Sequence, residues 1–80
     1  MKKEIFQKVR ELIAANNSIP EESITMDSLF EELGMDSLDG MALVSDLEIS
    51  FGINIPNEVV LKIKSVREVV ESLQKLLVIQ

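Results

Sequence analysis

Eighty residues, 46% of them hydrophobic and none of them Cys or His, leave out a disulfide framework, a thiolate nucleophile, the usual general base and the commonest metal ligand. A self-contained enzyme is therefore not expected. The net charge of −6 argues against nucleic acid and anionic membranes as partners, and no apolar run is long enough to insert into and span a bilayer.

One domain over residues 1–80 is expected at this length. Charges interrupt the apolar pattern of the opening MKKEIFQKVRELI, which speaks against a signal peptide, so a soluble cytoplasmic monomer is expected. The charge is unevenly spread. Residues 1–16 carry four bases against two acids, residues 17–61 carry ten acids and no base, and residues 62–80 again carry four bases against two acids. A base-free stretch of this length has two readings, a solvated surface or a face that steers basic partners.

In chain order, Ile5, Phe6, Val9, Leu12 and Ile13 recur at helical spacing, so a first helix is predicted to end near the polar Asn16-Asn17-Ser18. Residues 17–35 form a long connection in which Pro20 starts only a short turn. Ile19, Ile24, Leu29, Phe30 and Leu33 are spaced too irregularly for one helix; they are expected to plug the loop onto the core. A helical turn at 28–33 is predicted, closed by Gly34 in the left-handed conformation.

A second helix is predicted from about Ser37 to Ser50. Asp36 is its cap, with Asp39 at the third helical position in a capping-box-like arrangement, and both acids complement the positive end of the helix dipole. Leu43, Leu47 and Phe51 supply the inward stripe, with Leu38, Met41 and Val44 beside it, and Gly52 ends the helix. Ile53 and Ile55 flank Asn54, and Pro56 opens a short third helix from about Asn57 to Leu61. Ser65 caps the last helix with Glu68 as its capping-box partner, and Val66, Val69, Val70, Leu73 and Leu77 form its apolar face. No strand pattern appears. The expected fold is all-α, a four-helix bundle of three long helices and one short helix with a long loop between the first two.

The tetrapeptide Met-Asp-Ser-Leu occurs twice, at 26–29 and 35–38. Ser28 lies in the loop, where with Asp27 it is expected to cap the turn that carries Leu29 and Phe30 inward. Ser37 opens a full helix. A serine at a helix start is most often a cap, but Asp36 is better placed for that role, which leaves the Ser37 hydroxyl free at the positive end of a dipole. Such a place favours a phosphate ester.

The segment LGMDSLDGMALVSDLEISFGINIP, residues 33–56, resembles the centre of acyl carrier proteins, in which Leu-Gly-X-Asp-Ser-Leu opens the second helix. The likeness runs the length of the chain, through the amphipathic first helix, the acidic loop, Phe51 near the helix end and Ile55-Pro56 before a short helix. The resemblance implies that Ser37, next to Asp36, is esterified with 4′-phosphopantetheine taken from coenzyme A by a phosphopantetheinyl transferase (holo-carrier-protein synthase). Ser28 lacks the Leu-Gly lead and falls outside the match. The arm brings the thiol that a Cys-free chain lacks. Acyl groups then ride on it as thioesters, presented to enzymes of fatty-acid or related lipid or polyketide biosynthesis and sheltered between the helices.

The resemblance further implies that partners recognise the second helix. Asp39, Met41, Asp46 and Glu48 are the partner-binding candidates, facing acyl-loading and acyl-processing enzymes with basic or mixed apolar docking patches. The chain departs from the family here. Ala42, Ile49 and Ser50 stand where acids are usual, and so do Asn57, Val59 and Leu61. A specialised carrier and ordinary drift both account for this. Gly40, one turn from Ser37, is a second departure, either a place of close approach or a tolerated blemish. Three other readings are open: an aminoacyl or D-alanyl carrier on the same bundle, an acidic helical interaction module without a prosthetic group, and an enzyme subunit acting through carboxylates.

Overall fold

The computed structural model describes residues 2–79. Its long helices are α1 (Lys2–Asn17), α2 (Ser37–Phe51) and α4 (Val66–Ile79), with a short α3 (Asn57–Lys62) and a 3₁₀ turn at Glu21–Ser23 after Pro20. The all-α bundle expected from the sequence is the one observed. Among the described residues no helix is long and apolar enough to cross a membrane.

α1 packs chiefly against α4 and next against α2. It buries Ile5, Val9 and Ile13, which meet Leu43 and Leu47 of α2 and Val66, Val69, Val70 and Leu73 of α4 in one core. This is the outcome of a 3.6-residue apolar period on each long helix. Ile24, Met35, Ile53 and Ile55 enter the same core from the connections.

The ends of the elements are set by local chemistry. Gly34 (φ 77°) closes the turn before α2 with paired returns, its own N–H to the Glu31 carbonyl at 3.1 Å and the Met35 N–H to the Phe30 carbonyl at 3.0 Å. Gly52 (φ 65°) ends α2, and the Ile53 N–H returns to the Glu48 carbonyl at 3.2 Å. α1 ends on Ser18, a non-glycine residue at φ 55°, with the Ile19 N–H reaching the Ala14 carbonyl at 3.3 Å. At α4, Ser65 Oγ accepts from the Glu68 N–H at 3.2 Å, but Glu68 Oε1 reaches back to the Lys64 N–H at 2.9 Å and the Ser65 hydroxyl at 3.2 Å. The box is therefore shifted one residue from its usual form.

Three apolar residues are placed differently from the sequence reading. Leu29 is no plug: it is 43% exposed. The reason is an isolated antiparallel bridge between Leu29 and Ser65, framed by the Phe30 N–H to the Lys64 carbonyl and the Val66 N–H to the Ser28 carbonyl, both at 3.0 Å. Side chains alternate along extended backbone, so Phe30 turns to the core and Leu29 turns out. The bridge also satisfies N–H groups at the start of α4 that a helix cannot satisfy itself. Leu38 and Met41, expected beside the inward stripe of α2, are 76% and 64% exposed. At about 100° per residue, positions five and two before Leu43 fall on the opposite side of the helix.

The basic ends of the chain fold back on the acidic middle. Arg67 pairs with Asp27 at 2.8 Å and Arg10 approaches Glu21 at 3.9 Å. The hydrogen bond to Asp27, reinforced by its charge, holds the Arg67 guanidinium above its ordinary range. Two pairs do not neutralise ten acids, so raising salt from low to moderate concentration, or adding divalent cations, is expected to raise the melting temperature by screening or bridging carboxylates. A thermal melt that does not move with salt would show these charges to be too dispersed to matter.

Candidate functional site

The N-terminus of α2 is built by a reciprocal capping box. Asp36 Oδ1 accepts from the Asp39 N–H at 2.9 Å, and Asp39 Oδ2 accepts from the Asp36 N–H at 3.2 Å. With that role filled by Asp36, Ser37 stands exposed as the first residue of the helix, and no side-chain cap is left for it to make. A hydroxyl in that position sits beside the positive end of the dipole, which suits a bound phosphate group.

The other serine of the repeat is placed differently. Ser28 Oγ accepts from the Thr25 N–H at 2.9 Å and lies 3.3 Å from Thr25 Oγ1. It bonds backward into the 25–28 turn and does not cap the turn that follows. Asp27 is turned to Arg67, and the following turn opens with the Leu29 N–H on Glu32 Oε1 at 3.3 Å. The pair Asp27–Ser28 is thus structural, though not in the way the sequence implied.

A cavity of about 730 Å³ lies between α2, α3 and α4, with Ser37 and Gly40 on its wall. Its volume falls in the range of small-molecule sites. The buried Leu43, Leu47, Val69 and Leu73 line it, and the exposed Met41 and Leu61 stand at its rim. The resemblance implied a shelter between the helices but not the residues that line it; one signal for them was present, since Gly40 precedes Leu43, Val44 and Leu47 by three, four and seven residues, on the same helical face.

Of the partner-binding candidates, Met41 is exposed beside Ser37, and Asp39 belongs to the capping box. Asp46 and Glu48 are half-buried and turned to the scaffold. Asp46 Oδ2 accepts from Asn16 Nδ2 at 2.7 Å, tying α2 to α1. Glu48 Oε2 accepts from the Ile55 N–H at 2.8 Å and so pins the connection to α3. Among the described residues no group of three or more acids is placed to hold a metal ion.

An added Cβ at Gly40 would meet no atom within 4 Å beyond its chain neighbours and its own helix backbone. Gly40→Ala is therefore expected to stabilise the protein by about 1 kcal/mol through helix propensity, which raises the melting temperature by about 4–8 °C. An unchanged or lowered melting temperature would show that the backbone there needs glycine.

The sequence profile described as "Phosphopantetheine attachment site" matches residues 7–73. The chain is 44% identical over 69 residues to the acyl carrier protein of Treponema denticola, covering 85% of this chain and 88% of that protein. It is 42% identical over 67 residues to the acyl carrier protein of Aster yellows witches'-broom phytoplasma, covering 82% and 88% respectively. Among solved structures it is similar to the acyl carrier protein of Thermotoga maritima, with a TM-score of 0.83 at 29% identity over 99% of this chain and 94% of that one. The acyl carrier protein of Enterococcus faecalis gives a TM-score of 0.78 at 28% identity over 95% and 98%. An exposed hydroxyl at a helix mouth, an apolar cavity beside it and this set of relatives lead to one conclusion: the chain belongs to the acyl carrier protein family, whose members bear covalent 4′-phosphopantetheine and carry acyl groups without catalysing their reactions.

Proposed function

We propose that Ser37 is the residue to which the 4′-phosphopantetheine arm is attached, and that the protein carries acyl groups for fatty-acid or related lipid or polyketide biosynthesis. The observation that carries this reading is the exposed Ser37 at the start of α2, relieved of capping by Asp36. The residues fit the group: the oxygen is accessible to a transferase, the helix end favours its phosphate, and the neighbouring cavity is apolar enough for a chain. When bound, the arm supplies the thiol on which acyl groups are held. The chain's own part is to present that arm and to exclude water from its cargo.

The solvent face of α2 bears on the partners. Leu38, Met41, Ala42, Ser45 and Ile49 are all exposed and all uncharged, while Asp39, Asp46 and Glu48 are half-buried at its edges. We read this as a mixed docking face, apolar along its crest with Asp36 and Asp39 as the charges beside Ser37, suited to partners other than those that bind purely through basic patches. On this reading the protein is a specialised carrier. Incubating the protein with coenzyme A and a phosphopantetheinyl transferase is expected to add the mass of one arm. Offering the product to fatty-acid synthesis enzymes beside their own carrier tests the specialised role, and equal use of the two would end it.

A further inference from the structure

Position 40 belongs to the inward stripe of α2. Leu43, Val44 and Leu47 follow it at the spacings of one helical face, and all four residues line the cavity. Leu43 and Leu47 are 2% and 0% exposed. An apolar side chain is what the pattern calls for at 40, one turn from Ser37, and none is there. The usual reasons for a helical glycine do not apply. Among the described residues the left-handed ones are Ser18, Gly34 and Gly52, not Gly40, and beyond its chain neighbours and its own helix backbone no atom approaches within 4 Å of where its Cβ would stand. The glycine costs helix stability and serves no backbone turn or close packing. What its missing side chain leaves is space, and that space adjoins the cavity.

We propose that Gly40 is the portal of the cavity: an unbranched apolar chain borne on Ser37 passes inward across the bare Cα of Gly40, and a large side chain there closes the way. The inference rests on Ser37 as the attachment residue and adds a specificity-determining position to it. The buried Leu43, Leu47, Val69 and Leu73 beyond the portal make the interior a place for hydrocarbon. Short cargo, such as acetyl, has little to bury and is indifferent to position 40.

The test compares wild type, Gly40→Leu and Ala42→Leu. Ala42 is exposed on the same helix and is not among the cavity-lining residues, so leucine there adds equal bulk outside the portal. Each protein is loaded with an octanoyl or an acetyl arm from the matching acyl-coenzyme A by a phosphopantetheinyl transferase, and intact mass verifies one load. The melting temperature of the octanoyl form is expected to exceed that of the acetyl form by at least about 4 °C in wild type and equally in Ala42→Leu. In Gly40→Leu the difference is expected to vanish, while the unloaded protein melts no lower than wild type. Gly40→Met, whose side chain is unbranched and adaptable, should lose the difference as well. A Gly40→Leu protein that keeps the wild-type difference overturns the portal, and so does a wild type that shows none. Failure of wild type to gain any mass overturns instead the attachment reading on which the portal rests.

Discussion

Ser37→Ala is expected to abolish the mass gain on incubation with coenzyme A and a phosphopantetheinyl transferase, while Ser28→Ala leaves it intact. The two serines share their immediate neighbours and differ in what their oxygens do. Ser37 is exposed and its helix is capped by Asp36, so its replacement removes the acceptor of the arm and no structural hydrogen bond. Its melting temperature should stay near that of wild type, as for other surface substitutions. Ser28 accepts from the Thr25 N–H, so Ser28→Ala should cost about 1 kcal/mol and leave attachment unaffected. The two substitutions thus separate chemistry from stability in opposite directions. Retention of the mass gain in Ser37→Ala, or its transfer to Ser28, would remove the basis of the proposed function.

Leu47→Ala is expected to have the largest effect on stability. Leu47 is fully buried, belongs to the shared core and lines the cavity. Truncating a buried leucine costs about 2–5 kcal/mol, the transfer term plus the void left behind. A small domain has little to spare against that. The melting temperature should fall by at least about 8 °C, at about 4 °C per kcal/mol for a domain of this size. Leu38→Ala, on the exposed side of the same helix, should stay within about 0.5 kcal/mol of wild type. Thermal melts of the two variants decide the matter, and similar losses would mean that the inward face of α2 is misassigned. Leu38 is also where a partner would feel the change, so Leu38→Ala with an unaltered melt should weaken docking to a partner that uses the apolar crest of α2.

What the sequence determined by itself about this protein is what local chemistry can encode. The helices came from apolar residues recurring every three or four positions, and their starts from carboxylates and hydroxyls three residues from the N–H groups they serve, as at Asp36–Asp39. Their ends came from glycines that take a left-handed turn at no cost to a Cβ, as at Gly34 and Gly52. The candidate serine was legible for the same reason, because the repeat and the better cap both lie within a few residues of it. Tertiary structure decided the rest. Leu29 is turned outward by a bridge to Ser65, Ser28 is held by Thr25 in a turn whose carbonyl receives the Val66 N–H at the start of α4, and Asp46 is bound to Asn16 thirty residues away. Glu48 is engaged by Ile55 only because the chain reverses at Gly52. The cavity is the clearest case: it is a gap between three helices, bounded by residues from 29 to 76, and empty space has no residue of its own until those helices are packed together.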